Sequence, residues 1–552
     1  MAENSIASDL VAQAQALETE RIPWESLWQD CARAVHPRRG TIGNRTAHAS
    51  SPERANYEEM HDGTAMRANL TLANGQAARI TPMGARWFVL KPPVELANRP
   101  GAEAWYQKCS EILVTKLAVS NFYNRAHQHY LHRGAFGTAA LEVTSGENGK
   151  GLHFRSYPIG TYAIAENHLD EVDVVFRNYT ATARQIAQMF PENVPEVVAK
   201  CAGDPSRRHQ RFEILHAILP RTDRDPRKSG PKDKPVASIH LLRNEMIILG
   251  ESGFDEMPVA VSRWSRSEYF AASPYGEPPA MIALPEAHQA NHLAKIRDVL
   301  AETAAFPRVL YPSDLKGDID FRARGLTCYD VNSGNRPQEW LSQGRYDINK
   351  DNLEDHRQAI REAFFYDLFS SISQLERDVT ATEVRAIVGE SRELFHPIFA
   401  GLTREFLTPV LRRCFALLLR QGELPPPPAD ALQRDELGAF VADPAVDYVS
   451  SMALALEQSH LSNFADILSV MSPLAQADPS MFDFIDSDAI GPAFFRLRGL
   501  PEAFIRAPEK VEEIRSARMH QAQMMQAQQA SETVKNLGGI DATKGLVEEF
   551  AQ

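Results

Sequence analysis

Cysteine is scarce in this chain, with five among 552 residues. Cys31 and Cys109, the nearest pair, stand 78 positions apart, and Cys201, Cys328 and Cys414 are farther still. That spacing excludes a CxxC zinc or redox pair, and an odd, scattered set fits buried thiols in a reducing compartment. Long apolar runs are also missing. Stretches such as Phe415–Leu419 fall far short of the ~20 residues that span a bilayer. The opening MAENSIASDL has no basic start followed by an apolar core, so no secretory leader is expected. Nor is there an excess of positive charge. Lys and Arg total 59 against 72 Asp and Glu, a net charge of −13. A basic surface that coats nucleic acid along the whole chain is therefore excluded.

The motifs of enzyme chemistry are missing as well. The chain holds no G-x-x-x-x-G-K-[ST], no HExxH and no G-x-S-x-G, so phosphate cradles, helical zinc pairs and nucleophile elbows are unsupported. Gly134-Ala-Phe-Gly137 lacks the lysine and third glycine of a phosphate loop and reads as a close-packed turn from helix to strand. His127, His129 and His132 cluster in sequence. On a helix only His129 and His132 share a face, so the expectation is an amphipathic helix with surface histidines rather than a metal site. Asp314, Asp318 and Asp320 lack the register and terminal glutamate of a calcium loop and read as an acidic loop. Catalytic, metal and cofactor residues are accordingly expected to be none.

What is present is an ordinary globular composition, 43% hydrophobic and 24% charged. Apolar spacing predicts helices over 8–36, interrupted near Pro23, over 66–80 and over 102–134. The period then changes. Ala140–Val143, Leu152–Phe154, Tyr162–Ile164 and Val172–Phe176 predict a small antiparallel sheet, with further strands at Arg211–Leu219 and Val236–Leu242. Between those two lies Arg221–Pro235, with six basic and three acidic residues. It reads as a solvated hairpin tip, the alternative being a basic contact with DNA or a partner. A helix over 286–304, with Leu293, Ile296, Leu300 and Ala304 on one stripe, precedes strands at 307–311 and 320–331. Asp351-Asn-Leu-Glu354 and Thr380-Ala-Thr-Glu383 resemble capping boxes that open two more helices. Leu353, Ile360, Phe364 and Leu368 form the stripe of the first. Phe395, Ile398, Leu402 and Phe406 continue that of the second, with kinks expected at Pro397 and Pro409. Pro425–Pro428 reads as a stiff linker. Helices are predicted over 452–475 and, as a polar helix too poor in apolar residues to bury alone, over 508–530. The class is thus α+β, mainly α-helical.

Several short pieces, in order, resemble one family. They are Glu20-Arg-Ile-Pro-Trp24 with Trp28, Asp62-Gly-Thr-Ala65, Thr81–Phe88, Phe136–Leu141, Met257-Pro-Val259, Arg263-Trp264 and Pro274–Pro278. Thr380–Val384, Glu405–Pro409, Gly499-Leu-Pro501 and Ile505-Arg506 follow, and the glutamates after 508 run into glutamines. The chain resembles the portal, or head-to-tail connector, proteins of short-tailed bacteriophages over roughly residues 15–530. Pro285 departs from the family pattern, because it falls inside what the family makes its first stem helix.

The resemblance implies a portal fold assembled as a dodecameric ring at one capsid vertex, around a central channel for packaging and ejecting double-stranded DNA. It implies a wing (1–274), a stem helix (275–304), a clip (305–349) and a second stem helix (350–370). A tunnel loop (371–380), further wing helices and linker (381–444), a crown with helical barrel (445–530) and a mobile tail (531–552) complete it. Glu376, Arg377 and Asp378 would line the channel and touch DNA. Implied partners are the other subunits, double-stranded DNA, major capsid protein and scaffold, the terminase large subunit, and the head-tail adaptor and tail proteins, with no membrane. The implied place is the virion vertex, after assembly in the host cytoplasm. Twelve copies at −13 each carry −156 formal charges, which suits a conduit that must pass a polyanion without gripping it. The alternatives are a phage DNA-processing enzyme, nuclease or packaging ATPase, and a monomeric helical scaffold.

Overall fold

The computed structural model describes residues 2–42, 59–96, 99–146, 149–225, 228, 230–266, 273–305, 308–310, 338–340, 346–369, 394–434, 440–450 and 508–537. The chain divides into two compact units, Met1–Leu456 and Glu457–Gln552.

The first unit opens with α1 (Ala2–Val35), which continues unbroken past Pro23, so the expected interruption does not occur. An interior proline costs a helix about 3 kcal/mol. Here that cost is offset by burial of Trp24 and Trp28, each able to contribute several kcal/mol. Their rings lie 5.9 Å apart and both meet Tyr275, at 6.0 and 5.1 Å. α2 (Thr64–Arg79) and β1 (Phe88–Lys91) follow. The long helix predicted over 102–134 is two helices, α3 (Pro100–Val119) and α4 (Phe122–Phe136). Ser120 is extended and its hydroxyl accepts from the Phe122 N–H, while both ends of the Asn121 amide bond the Phe154 backbone. Side chains that compete for backbone groups in this way break helices.

Strands β2 (Thr138–Ser145), β3 (Leu152–Tyr157), β4 (Tyr162–Glu166) and β5 (Val172–Thr182) come next. A helical pair, α5 (Ala183–Met189) and α6 (Glu196–Gly203), separates them from β6 (Arg211–Pro220), β7 (Val236–Leu242), β8 (Ile247–Phe254) and β9 (Val259–Arg263). The strands form two antiparallel sheets, three-stranded β3-β2-β9 and five-stranded β4-β5-β6-β7-β8. The sequence reading missed β8, β9, α5 and α6. Side chains alternate across a sheet, and β6 shows both covers. Leu215 and Ala217 pack with Leu10, Val11 and Ala14 of α1. Phe212 and Ile214 pack with Ile186, Val198 and Cys201 of the α5–α6 pair.

Helix α7 (Pro279–Ala305) starts earlier than predicted and contains Pro285. The short antiparallel pair β10 (Arg308–Leu310) and β11 (Gln338–Trp340) follows, with Val309 opposite Glu339. The strand predicted over 320–331, the acidic loop of Asp314, Asp318 and Asp320, and Cys328 lie outside the described residues. Helix α8 (Tyr346–Ala363) returns, and a single turn, α9 (Tyr366–Phe369), ends this stretch. After the gap, α10 (residues 394–402) passes through a π turn (Thr403–Leu407) into α11 (Thr408–Arg420). A kink was expected at Pro409. Just before it the helix widens into the π turn, since Pro409 has no N–H to give the carbonyl four residues back.

The prolines at 425–428 are docked rather than free. The Pro425 carbonyl accepts from Trp105 Nε1 at 3.1 Å, and Tyr106 bonds the Ala431 carbonyl at 3.3 Å. Short strands β12 (Gln433–Arg434) and β13 (Phe440–Val441) pair, and β14 (Ala445–Tyr448) pairs with β1. In the second unit the described residues form one helix, α12 (Pro508–Leu537). It exposes Met519, Met524 and Met525, as expected of a helix too polar to bury a face. The capping box at Thr380 and the helix predicted over 452–475 lie outside the described residues.

Candidate functional site: a latched helix pair and its anchored return

One arrangement joins the main core through a helix pair, α7–α8, with β10–β11 between the two helices in the chain. After the buried Pro279, the fully buried positions of α7 are alanines: Ala280, Ala283, Ala287, Ala290 and Ala294. Three- and four-residue steps put them on one face, and methyl-sized side chains let neighbouring backbones approach closely. The predicted stripe is therefore corrected. Ile296 is exposed and Leu293 half-buried, because small residues rather than large ones face inward. α8 answers with Leu353, Ile360 and, past its end, Phe364 and Leu368, all buried as the sequence indicated.

Polar latches fix the pair to the chain ahead of α2. Asp62 Oδ2 accepts from Arg357 Nε and Nη2 at 2.9 and 2.7 Å, and its Oδ1 accepts from the Thr64 N–H at 2.8 Å. Burial pushes the Asp62 carboxyl up, but these hydrogen bonds outweigh it and hold the group below its ordinary range. Asn291 Oδ1 accepts from the N–H groups of His61 and Asp62 at 2.7 and 3.0 Å, while its amide donates to Glu59. Glu286 of α7 pairs with His356 of α8.

The chain leaves α8 through Phe365, whose φ of 52° lies in the left-handed region. For a bulky residue that conformation is uncommon and strained. Packing repays it, because Phe365 enters an aromatic cluster with Trp264 at 6.2 Å and Phe395 at 5.5 Å. Phe369, the last described residue before the gap, also meets Phe395 at 5.4 Å. Phe369 presses so closely on α2 that a Cβ on Gly75 would overlap its ring. Arg79 donates to the Leu368 carbonyl at 2.5 Å and lies over the Phe369 ring. The two flanks of residues 370–393 are therefore held in one place. Glu376, Arg377 and Asp378 lie within that span, outside the described residues.

The returning helix is bolted to the three-stranded sheet. Glu405, in the π turn, accepts from the Arg263 N–H at 2.7 Å and from its guanidinium at 3.1 and 2.5 Å. Arg133 donates to the carbonyls of Arg263 and Ile398. His129 corrects the surface-histidine expectation. It is fully buried, bonds Ser262 at 2.7 Å and stacks 3.8 Å from Phe406. Burial holds its pKa well below the ordinary value. Gly134 and Gly137 do serve close packing. A Cβ on the first would overlap the Asn69 side chain, and on the second, at φ +74°, the Gly276 carbonyl.

Among the described residues no three His, Cys, Asp or Glu side chains converge to hold a metal, and no helix is long and apolar enough to cross a membrane. Burial pushes the Cys31 and Cys109 thiols up to about 12, so neither is a ready nucleophile at neutral pH. The polar groups of this site hold elements in register, and the molecule is a mixed helix-and-strand protein organised around a latched helix pair.

The sequence model of the family described as "Bacteriophage head to tail connecting protein" matches residues 7–505, and the chain belongs to that family. It is 28% identical to the portal protein of Salmonella phage epsilon15 over 530 residues, 94% of this chain and 92% of that one. It is 26% identical to a probable portal protein of Bordetella phage BPP-1 over 555 residues, 99% and 97% of the two chains. Among solved structures, a chain of the neck of an empty gene transfer agent particle aligns at TM-score 0.34 and 11% identity, over 73% of this chain and 85% of that one. The family assignment rests on the sequence matches.

Proposed function

We propose that this protein is a phage portal. It closes into a ring of twelve subunits at one capsid vertex, passes double-stranded DNA inward and outward, and joins head to tail. The single observation that carries the reading is the likeness to the epsilon15 portal protein along 94% of the chain. On this reading α7 and α8 are the stem, residues 305–349 the clip that docks the terminase large subunit and later the head-tail adaptor, and 371–380 the tunnel loop. Residues 1–274 and 381–444 form the wing, and 445–530 the crown. Capsid protein, scaffold and tail proteins are the further partners, and the virion vertex is the place of action, after assembly in the host cytoplasm. The antiparallel strand pair between the helices supports a separable module, since an insert there can vary without disturbing the alanine face. The anchored flanks of 370–393 support a loop that shifts on a fixed frame.

Native mass spectrometry with negative-stain imaging tests the reading. A closed ring is expected, and a chain that stays monomeric across a concentration series overturns it. A nucleotide-hydrolysis and nuclease assay on the same sample tests the enzyme alternative, for which no turnover is expected.

A further inference from the structure

Two basic segments flank the five-stranded sheet, and they differ. In the loop between β6 and β7, Arg221 and Lys232 pair with Glu251, Lys228 with Asp225 and Lys234 with Asp255. The turn between α6 and β6 is otherwise. Among the described residues, Arg184, Arg207, Arg208 and Arg211 make no ion pair, although the chain as a whole carries −13.

The backbone gathers them. Arg207 and Arg208 donate their N–H groups to the Asp204 carbonyl at 3.1 and 2.9 Å, which closes the turn. The Arg184 N–H then bonds the Arg208 carbonyl at 3.2 Å, the Ala183 N–H bonds the Gln210 carbonyl at 2.9 Å, and Arg211 sits opposite Thr182 in the ladder. Arg184, Arg207 and Arg211 are exposed, as is His209, and Arg208 is half-buried. Arg208 Nε is buried with no hydrogen-bond partner among the described residues. Among the described residues the Arg207 side chain bonds only Gln210, at 3.2 Å, and that of Arg211 only Thr180, at 3.5 Å. The carboxylate of the same turn, Asp204, is engaged by the Ser206 N–H and hydroxyl. Its pKa is lowered first by those bonds and then by Arg207 and Arg208. The turn rests on its own small core of Ile186, Val198, Cys201 and Phe212, so the guanidiniums stand on a fixed base.

We propose that Arg184, Arg207, Arg208 and Arg211 form a sequence-independent contact for the phosphate backbone of duplex DNA, separate from the loop that carries Glu376, Arg377 and Asp378. All four cations are arginine, whose planar fork matches phosphate oxygens two at a time, where lysine offers a point charge. No described carboxylate takes any of the four into an ion pair, and a polyanion supplies what the chain withholds. The inference rests on the portal reading for the presence of duplex DNA.

The test is fluorescence anisotropy of a 30-base-pair duplex with the full chain, between 50 and 200 mM NaCl. The quadruple arginine-to-glutamine variant (R184Q, R207Q, R208Q, R211Q) is compared with wild type. Each phosphate contact contributes about −0.9 to the slope of log K against log salt. Wild type is therefore expected to be steeper by about 3 to 4, with at least tenfold tighter binding at 100 mM. Because Arg208 is half-buried, a triple variant that keeps it guards against misfolding, with an expected slope change of about 2 to 3. The variant K228Q, K232Q, K234Q, in the ion-paired loop, should leave the slope unchanged. Equal slopes for wild type and the quadruple variant overturn the proposal. So does polyglutamate that displaces the duplex more effectively, charge for charge, than unlabelled duplex does, since the patch would then be a seat for an acidic protein. Native mass spectrometry of each sample separates the two readings. A ring with unchanged slope removes this contact and leaves the portal, while a monomer that still loses DNA binding on substitution keeps the contact and removes the portal.

Discussion

Within the first unit, the aromatic part of the core and the face of α7 in the helix pair are held by different means. In the body, rings fill space. Trp24, Trp28 and Tyr275 pack together, and Trp87 lies parallel to Phe122 at 6.1 Å. In the helix pair, the fully buried face of α7 is lined with alanines, with Met281 and Leu293 half-buried beside it, and carboxylates, an amide, an imidazole and a guanidinium do the fastening. A core of large rings fails when a ring is removed. A close approach of small residues fails when something is added. The difference teaches that one chain can keep a heavy, fixed body beside a slender element whose spacing is set by the smallness of its side chains.

The largest expected effect tests the body. Trp28→Ala should cost about 3–5 kcal/mol, through lost burial and the cavity left behind. Denaturant titration of the variant checks it. A cost near zero would mean that the body relaxes as easily as a surface. Next comes the pair. Ala290→Leu should cost about 1–3 kcal/mol by overpacking, while Gln289→Leu, one position round on the exposed face, should lie within about 0.5 kcal/mol of wild type. Equal costs at the two positions would end the claim that smallness sets the helix spacing.

Acid sharpens the same comparison. Burial lowers His36 and His240 to about 4 and His132 to about 3, each from an ordinary value of 6.5. The unfolded chain therefore binds these protons first as pH falls. Stability is full above about 6.5 and drains from there down to the folded values. At pH 5.5 a single such histidine removes about 1.4 kcal/mol. Asp62, to which the helix pair is latched, is lowered instead, so its contribution holds above the ordinary carboxylate range and fails only below about 4. The body should thus weaken between pH 6.5 and 5 while the Asp62–Arg357 latch persists. His240→Phe keeps a ring against His216, which it stacks at 3.8 Å. It should flatten the pH dependence of the unfolding midpoint by about one histidine's share. An unchanged slope would show that the His216–His240 stack takes up protons without loss.

Much of this architecture was legible in the sequence. The stripe Leu353, Ile360, Phe364 and Leu368 is buried as its spacing indicated, and the close-packed glycines at 134 and 137 behave as their type demands. What escaped notice has physical causes. Pro23 looked like a break because the ~3 kcal/mol it costs is local, whereas the burial that offsets it is tertiary. The α7 stripe was placed on Leu293 and Ile296 because apolar spacing rewards large residues, and it took the fold to show alanines facing inward. The four arginines around the α6–β6 turn are separated by up to 27 positions, and only the return of the chain onto Ala183 and Arg184 brings them together. The attention given to Arg221–Pro235 went to a segment whose charges are mostly paired. The latch from Asp62 to Arg357 spans 295 residues, and the only signal of it was an aspartate ahead of a helix.

The smallest expected effect on stability concerns the link between the two anchored flanks. Phe369 and Phe395 meet, and Phe365 and Trp264 close the cluster around them, so the frame is set by rings outside the link. Glu376, Arg377 and Asp378 are proposed as a collar of mixed charge around the channel. Arg377 would touch phosphates, and its acidic neighbours would prevent tight capture. Substituting all three by Ser should change folding stability by under about 1 kcal/mol, the usual worth of exposed charges. Widening the frame should do more. Phe395→Ala removes the ring by which the second flank meets Phe365 and Phe369 of the first and should cost about 3 kcal/mol or more, which keeps the two roles separable. The discriminating measurement is the yield of genome-filled particles, with ring assembly confirmed in parallel. The triple Ser variant is expected to assemble normally and to fill or retain DNA poorly. A normal yield of filled, stable particles would take the link out of the mechanism and leave the arginines beside β6 as the contact with DNA still to be tested.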